Sequence, residues 1–256
     1  MKELLLALPA GRETGGRSCG LTPAHMAYRI GAGPKLLGIR LPQGLRGGVM
    51  QLDCAGYDGA GDPVGCCRQI LGECRRRSFR GIVCDFEGPP TGCLPKMAEI
   101  LDRNCAAQGW ALYVPTPYAP HAPHARVLIP SALAHGTLER RLCGALEQYG
   151  KERTALAVEW VREEFPLPAR GRGEPMNQER LEELLRRLEP AVFFDRGLCA
   201  HYFTYMKGPQ AHFVLFDSPR SIREKLGLAN RLGVAAALLP QPEVEPHLDD
   251  IFGSGA

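Results

Sequence analysis

The sequence predicts an α/β fold in which parallel strands are joined by crossover helices, in a chain of barrel size. Three observations predict it. Short apolar runs alternate with longer amphipathic stretches from Leu4 to Trp160, the rhythm of a parallel sheet with helical connections. The chain has 256 residues, 45% of them hydrophobic, which suits one large domain over residues 1–256 with a sizeable core. The apolar run Ile82-Val83-Cys84 ends in Asp85 and Glu87, and Gly88-Pro89-Pro90 then stops it. A side-chain period of two puts both carboxylates on one face, at the C-terminal end of a strand buried on both faces. In a barrel of parallel strands that end builds the active site.

The elements follow in order. Leu4 to Leu8 reads as the first strand, since its apolar run carries only Lys2 and is too short for a secretory signal. Thr22 and Pro23 read as the N-cap and first turn of a short helix reaching about Ile30. Lys35 to Leu41 reads as strand two, and Gly48 to Asp53 as strand three. A helix over Pro63 to Arg77 ends in Arg75-Arg76-Arg77, a basic run that suits the helix C-terminus. The carboxylate strand is fourth. A helix over about Leu94 to Gln108 leads to strand five, Trp110 to Val114, and a Pro/His-rich loop to strand six, Ala125 to Pro130. The helix Leu138 to Tyr149 precedes strand seven, Thr154 to Trp160.

Here the rhythm breaks. A Pro/Gly/Arg-rich loop over residues 166–175 is followed by a charged helix, Asn177 to Leu188. Strand-like runs come next, Ala191 to Asp195 and His212 to Asp217, with Tyr202 to Tyr205 between them. The helix Ser218 to Leu232 then feeds a last apolar strand, Val234 to Leu239.

Composition excludes several function classes. Lys+Arg at 31 against Asp+Glu at 28 leaves a formal charge of +3, so no general affinity for nucleic acid follows. No run approaches the roughly 20 apolar residues of a membrane span. Ten cysteines are scattered, with Cys66 and Cys67 adjacent and no CxxC pair. They read as small buried hydrophobes in a reducing compartment, and a cytoplasmic protein is expected. His121 and His124 stand without a nearby Cys pair or HExxH spacing, so they read as loop imidazoles and neither metal nor cofactor is expected.

The stretch Phe79 to Gly88 resembles the fourth-strand signature DxxDxDxE of family 18 glycoside hydrolases, the chitinase-like enzymes, often written FDGxDxDWE. Phe79, Gly81, Asp85 and Glu87 match it, Phe86 replaces the usual Trp, and Arg80 and Val83 replace the first two Asp residues. A second stretch, Phe213 to Lys225, resembles the family's late VWYDDPRSxxxK segment. The two lie in the family's order and spacing, and the resemblance spans essentially the whole chain. It implies a (β/α)8 TIM barrel with a small α+β insertion between strands seven and eight, over about residues 166–216. Within the family the chain is most similar to the short spore-germination and cortex-lytic branch, which allows a spore association, although it lacks the LysM repeats often found there.

By the resemblance, Glu87 would be the proton donor. Asp85 would orient the substrate's N-acetyl group, the internal nucleophile of a substrate-assisted, retaining mechanism. The absent Asp at Val83 removes a proton network shared with Asp85, and restoring it should raise activity if space and partners allow. The Tyr that ends the family's sixth strand is missing from Ile129 to His135, where Ser131 or His135 could face the mouth, though an ordinary loop residue is the blander reading of each. The terminal Trp is replaced by Leu238-Leu239-Pro240-Gln241. Asp53, Tyr57, Tyr118, Glu159 and Gln241 stand at other predicted strand ends and complete the candidate substrate-binding set. Glu159 lies five residues into an apolar strand, where a carboxylate needs a partner or an open mouth.

Two readings follow. One is a glycosidase acting on an oligosaccharide or peptidoglycan strand with β-linked N-acetylglucosamine. The other is a carbohydrate-binding or scaffolding barrel without turnover, favoured by the three missing family residues. Retention of both Asp85 and Glu87 favours the first, because a binding barrel has no need of a proton donor. A barrel enzyme acting on something other than carbohydrate ranks third.

Overall fold

The computed structural model describes residues 1–11, 20–133, 136–169, 171 and 173–253. The first part of the chain contains β1 (Glu3–Pro9), β2 (Thr22–Gly31), β3 (Lys35–Gly38) and β4 (Val49–Asp53). Helix α1 (Pro63–Arg77), β5 (Gly81–Asp85), α2 (Leu94–Gln108), β6 (Ala111–Pro115) and β7 (Arg126–Pro130) come next. Then follow α3 (Leu138–Tyr149) and β8 (Thr154–Ala157). Strands β1, β2, β4, β5, β6, β7 and β8 pair in parallel in that order. A last strand, reached after an excursion, pairs with both β8 and β1 and closes the eight-stranded barrel.

That excursion supplies a second, antiparallel sheet. It is made of β9 (Arg162–Pro166), β10 (Glu174–Pro175), β11 (Phe193–Asp195), β12 (Ala200–Lys207) and β13 (Gln210–Phe216), in the order β10-β9-β13-β12-β11. Helix α4 (Gln178–Leu188) lays Leu181 and Leu184 on Phe203, Val214 and Phe216, covering one face. The sheet opens at Arg162 rather than near residue 166. Helix α5 (Pro219–Leu232) then returns the chain to β14 (Ala236–Pro240), and α6 (Gln241–Val244) and α7 (Leu248–Phe252) end it. The fold is the expected TIM barrel with an α+β element between its seventh and eighth strands.

The core is layered as the strand pattern requires. Inside the barrel, Leu5, Ala24, Val49, Val83, Tyr113, Leu128, Ala155 and Ala236 form one apolar cluster, with a contribution from each barrel strand. Outside, Ile70, Leu71, Met97 and Leu101 of α1 and α2 pack on β2 to β6. Cys66, Cys67, Cys74, Cys84 and Cys105 are buried in this cluster. Burial pushes these thiols well up, the Cys66 thiol to about 11. A second outer cluster joins Leu142, Ile222 and Ala229 to Leu6, Leu156 and Leu239.

Helix ends follow local chemistry. The Asp62 carboxylate accepts from the Val64 and Gly65 N–H groups at 2.9 Å, Pro63 opens α1, and α1 closes on Ser78 in the left-handed region. Ser218 caps α5 through a reciprocal contact with Ser221, and Gly233 ends it at φ 80°. Gly81 is needed for packing, because a Cβ there would stand 2.6 Å from the Ala111 carbonyl oxygen of the neighbouring strand.

Two expectations fail in the first quarter. Thr22 to Ile30 forms β2, the second barrel strand, and not a helix. Ala24, Ala27, Tyr28 and Ile30 are buried there between β1 and β4, so sheet pairing overrides the local Thr-Pro signal. Lys35 to Leu41 is not the second barrel strand. Its first part, β3, pairs antiparallel with β2 outside the closed ring. Strand seven also ends early, at Ala157, leaving Glu159 beyond it.

The late Asp-to-Lys segment has a structural role. Asp217 and Lys225 form an ion pair at 2.6 Å with both side chains at most 1% exposed. The same Asp217 oxygen accepts from the Val161 N–H at 2.8 Å, and its other oxygen accepts from the Ser221 hydroxyl at 2.6 Å. Lys225 also donates to the Glu159 carbonyl at 3.4 Å. This network ties the start of the second sheet to α5 and to the end of β8.

Candidate active site

The site begins with the register of three parallel strands. Asp53 of β4 is paired with Asp85 of β5 on one side and Arg29 of β2 on the other. Arg29 Nε donates to Asp53 Oδ1 at 2.6 Å, and the Ala55 N–H donates to the same oxygen at 3.0 Å. One step lower, Gln51 is paired with Val83, and its amide reaches up to donate to Asp85 Oδ2 at 3.0 Å. Asp85 is half-buried at the strand end, and Glu87 follows it, exposed. Between them Phe86 turns outward and is 2% exposed, meeting Tyr118 edge-on at 5.3 Å. This anchor fixes the strand end from which the two carboxylates project.

The electrostatics follow from that layout. Burial holds the Asp85 carboxyl above its ordinary range, the Gln51 hydrogen bond opposes this, and the Glu87 and Asp53 carboxylates add to it. The Cys54 thiol feels the same groups. Burial raises it, a hydrogen bond to the Glu87 backbone opposes this, and the Asp53, Glu87 and Asp85 carboxylates raise it further. Three carboxylates and one guanidinium thus meet above the apolar barrel interior.

Val83 lies below them at 0% exposure, within that apolar layer. An Asp at this position would enter this mostly apolar layer, with Gln51 of β4 and Tyr113 of β6 as its register neighbours.

The remaining predicted site residues separate into groups. Asp53 stands in the constellation. Glu159 is exposed at the rim, where its carboxylate accepts from the Ala132 N–H at 2.8 Å and borders a cavity of about 380 Å³ with Glu163 and Phe165. Ser131 is 1% exposed and its hydroxyl accepts from the Glu159 N–H at 2.9 Å, so it clamps two loops. Tyr57 accepts from the Cys93 N–H at 2.6 Å and packs on the outer cluster, joining the loop after β4 to α2. Tyr118 is fully buried in that outer cluster, its phenol pushed up to about 12 by burial, and presents no surface to a glycan. Gln241 is 1% exposed, with its amide donating to Glu245. His135 lies outside the described residues.

Sequence reasoning missed Arg29 and Gln51. Arg29 fell in the stretch read as a helix. Gln51 carried a signal, a polar residue between Met50 and Leu52 in a buried strand, two steps before Asp53.

No family model matches the sequence, and no curated protein does. Solved structures share the fold. The spore cortex-lytic enzyme SleL from Bacillus megaterium superposes with a TM-score of 0.67 at 16% identity, over 98% of this chain and 74% of that one. A chitinase from Chromobacterium violaceum gives 0.69 at 16% identity, over 94% of each chain. The Group IV chitinase of Ostrinia furnacalis gives 0.70 at 12% identity, over 99% of this chain and 96% of the other. The barrel of this chain is thus a fold shared with solved chitinases and with a spore cortex-lytic enzyme, a chitinase-like TIM barrel.

Proposed function

We propose that the chain is a glycosidase acting on a glycan with β-linked N-acetylglucosamine, chitin-like or peptidoglycan, by substrate-assisted retaining hydrolysis. One observation carries this reading: Asp85, half-buried and held by Gln51, is followed two residues on by the exposed Glu87 at the C-terminal end of the fourth barrel strand. Glu87 would protonate the glycosidic oxygen as the substrate's acetamide oxygen attacks the anomeric carbon. The glycosidic C–O bond breaks, and the leaving sugar departs with the proton. Asp85 would orient the acetamide and balance the positive charge of the oxazolinium intermediate. Water then attacks the anomeric carbon, giving its proton back to Glu87, and the configuration is retained. The likeness to a cortex-lytic enzyme supports peptidoglycan beside chitin. Among the described residues no helix is long and apolar enough to cross a membrane.

A second reading, glycan binding without turnover, is favoured by the apolar surroundings of Val83 and by the internal commitments of Tyr118 and Ser131. The Glu87→Gln variant separates the two, since it removes the donor and keeps shape and hydrogen bonding. On chito-oligosaccharides and peptidoglycan fragments its rate should fall about 10²–10⁴-fold with binding retained. Binding by the unmutated chain without turnover, unchanged in Glu87→Gln, would establish the second reading. No glycan binding at all would remove both.

A further inference from the structure

We propose that Gln51 is the positioning residue of this site, holding Asp85 in its working orientation through the side-chain amide. The proposal rests on the role given to Asp85 above. Gln51 is 5% exposed and paired with Val83, so an apolar side chain stands beside it on β5. Its Nε2 donates upward to Asp85 Oδ2 at 3.0 Å. Its Oε1 is buried and has no hydrogen-bond partner among the described residues.

That orphan acceptor distinguishes positioning from packing. An apolar side chain of similar length would fill the same space without desolvating a carbonyl. The position therefore carries a cost whose counterpart is the contact with Asp85. Side chains that impair folding locally tend to persist where they serve a site.

An amide also brings a definite chemistry. It cannot ionise, so Nε2 donates at every pH and Asp85 Oδ2 remains its acceptor, leaving Oδ1 for a bound acetamide. Every other group facing Asp85 among the described residues is different. Asp53 comes from β4 with Arg29 of β2 on its far side, Glu87 comes from the following loop, and the Cys54 thiol lies nearby. Burial and the two carboxylates favour the protonated acid, and Gln51 alone favours the carboxylate.

The test is a ¹³C NMR titration of the Asp85 carboxyl in the full chain, assigned with Asp85→Asn, with thermal unfolding measured in parallel. In Gln51→Met the midpoint should move to higher pH while Tm holds or rises. In Gln51→Glu the midpoint should also move up, and the two carboxyls should titrate in coupled steps. If the unmutated chain cleaves glycan, Gln51→Met should lower kcat more than it alters KM, and the acid limb of its pH–rate profile should move up with the midpoint. An unchanged midpoint in Gln51→Met with lost thermal stability would overturn the proposal and make Gln51 a packing residue. If Gln51→Met does not fold, an unchanged Asp85 midpoint in Gln51→Glu would overturn it equally. A chain without turnover removes the hydrolase reading but leaves the titration decisive for Gln51.

Discussion

Replacing Asp217 by Ala should cost the fold several kcal/mol, because its carboxylate anchors a buried ion pair near the barrel rim. The carboxylate receives three contacts, from Lys225 Nζ at 2.6 Å, the Val161 N–H at 2.8 Å and the Ser221 hydroxyl at 2.6 Å. Ser221 also reaches the Ser218 carbonyl at 2.8 Å and so keeps a partner after the substitution. Among the described residues Lys225 keeps only the 3.4 Å contact to the Glu159 carbonyl, and the buried Val161 N–H loses its side-chain acceptor. Removing one member of a buried ion pair typically costs about 3–5 kcal/mol, because the other charge stays desolvated. At roughly 2–4 °C per kcal/mol for a chain of this size, Tm should fall by about 6–20 °C. Lys225→Met should cost less, since Asp217 would retain two neutral donors. The double variant should lose less than the sum, with an interaction energy of roughly 0.5–3 kcal/mol. Denaturant unfolding of the four proteins measures all three quantities. A loss below about 1 kcal/mol in Asp217→Ala, with additive behaviour in the double variant, would refute the assignment of this pair as a structural tie.

Two further predictions concern the carboxylate strand. Val83→Asp should destabilise the chain by at least ~2 kcal/mol at neutral pH, because the charged carboxyl would be desolvated in a mostly apolar layer beside the neutral Gln51 amide. Burial would raise its proton affinity, so the loss should shrink as pH falls, and higher activity at undiminished Tm would contradict this. Asp85→Asn should instead stabilise the chain near pH 7 while impairing any turnover. The wild-type carboxyl is raised by burial, so its stability contribution is present at low pH and lost as pH rises through the folded value. The variant lacks that dependence, and its Tm advantage should close as pH is lowered below about 4. A lower Tm for Asp85→Asn at pH 7 would count against the layout described for the site.

Much of the architecture was legible from local chemistry. The bounds of α1, α2 and α3 follow from capping residues, amphipathic periodicity and stop signals, and each of these acts within a few residues. The buried strands β4, β5 and β14 announce themselves as apolar runs. The position of Asp85 and Glu87 at a strand end needs only the apolar run and the Gly-Pro-Pro that stops it.

Other features depend on contacts between distant residues. Whether Thr22 to Gly31 becomes helix or strand is decided by β1 and β4 on either side, since ring closure buries Tyr28 and Ile30 in a way no neighbouring residue could signal. The same holds for partners. Ser131 and Tyr57 carry the side chains expected of a glycan site, yet Glu159 and Cys93 occupy their hydroxyls. Sequence alone placed Asp85 and Glu87 at the C-terminal end of a buried parallel strand. Tertiary structure decided which candidate side chains remain available, because register sets Gln51 against Asp85 and Arg29 against Asp53, and buried polar groups must find partners wherever the folded chain brings them.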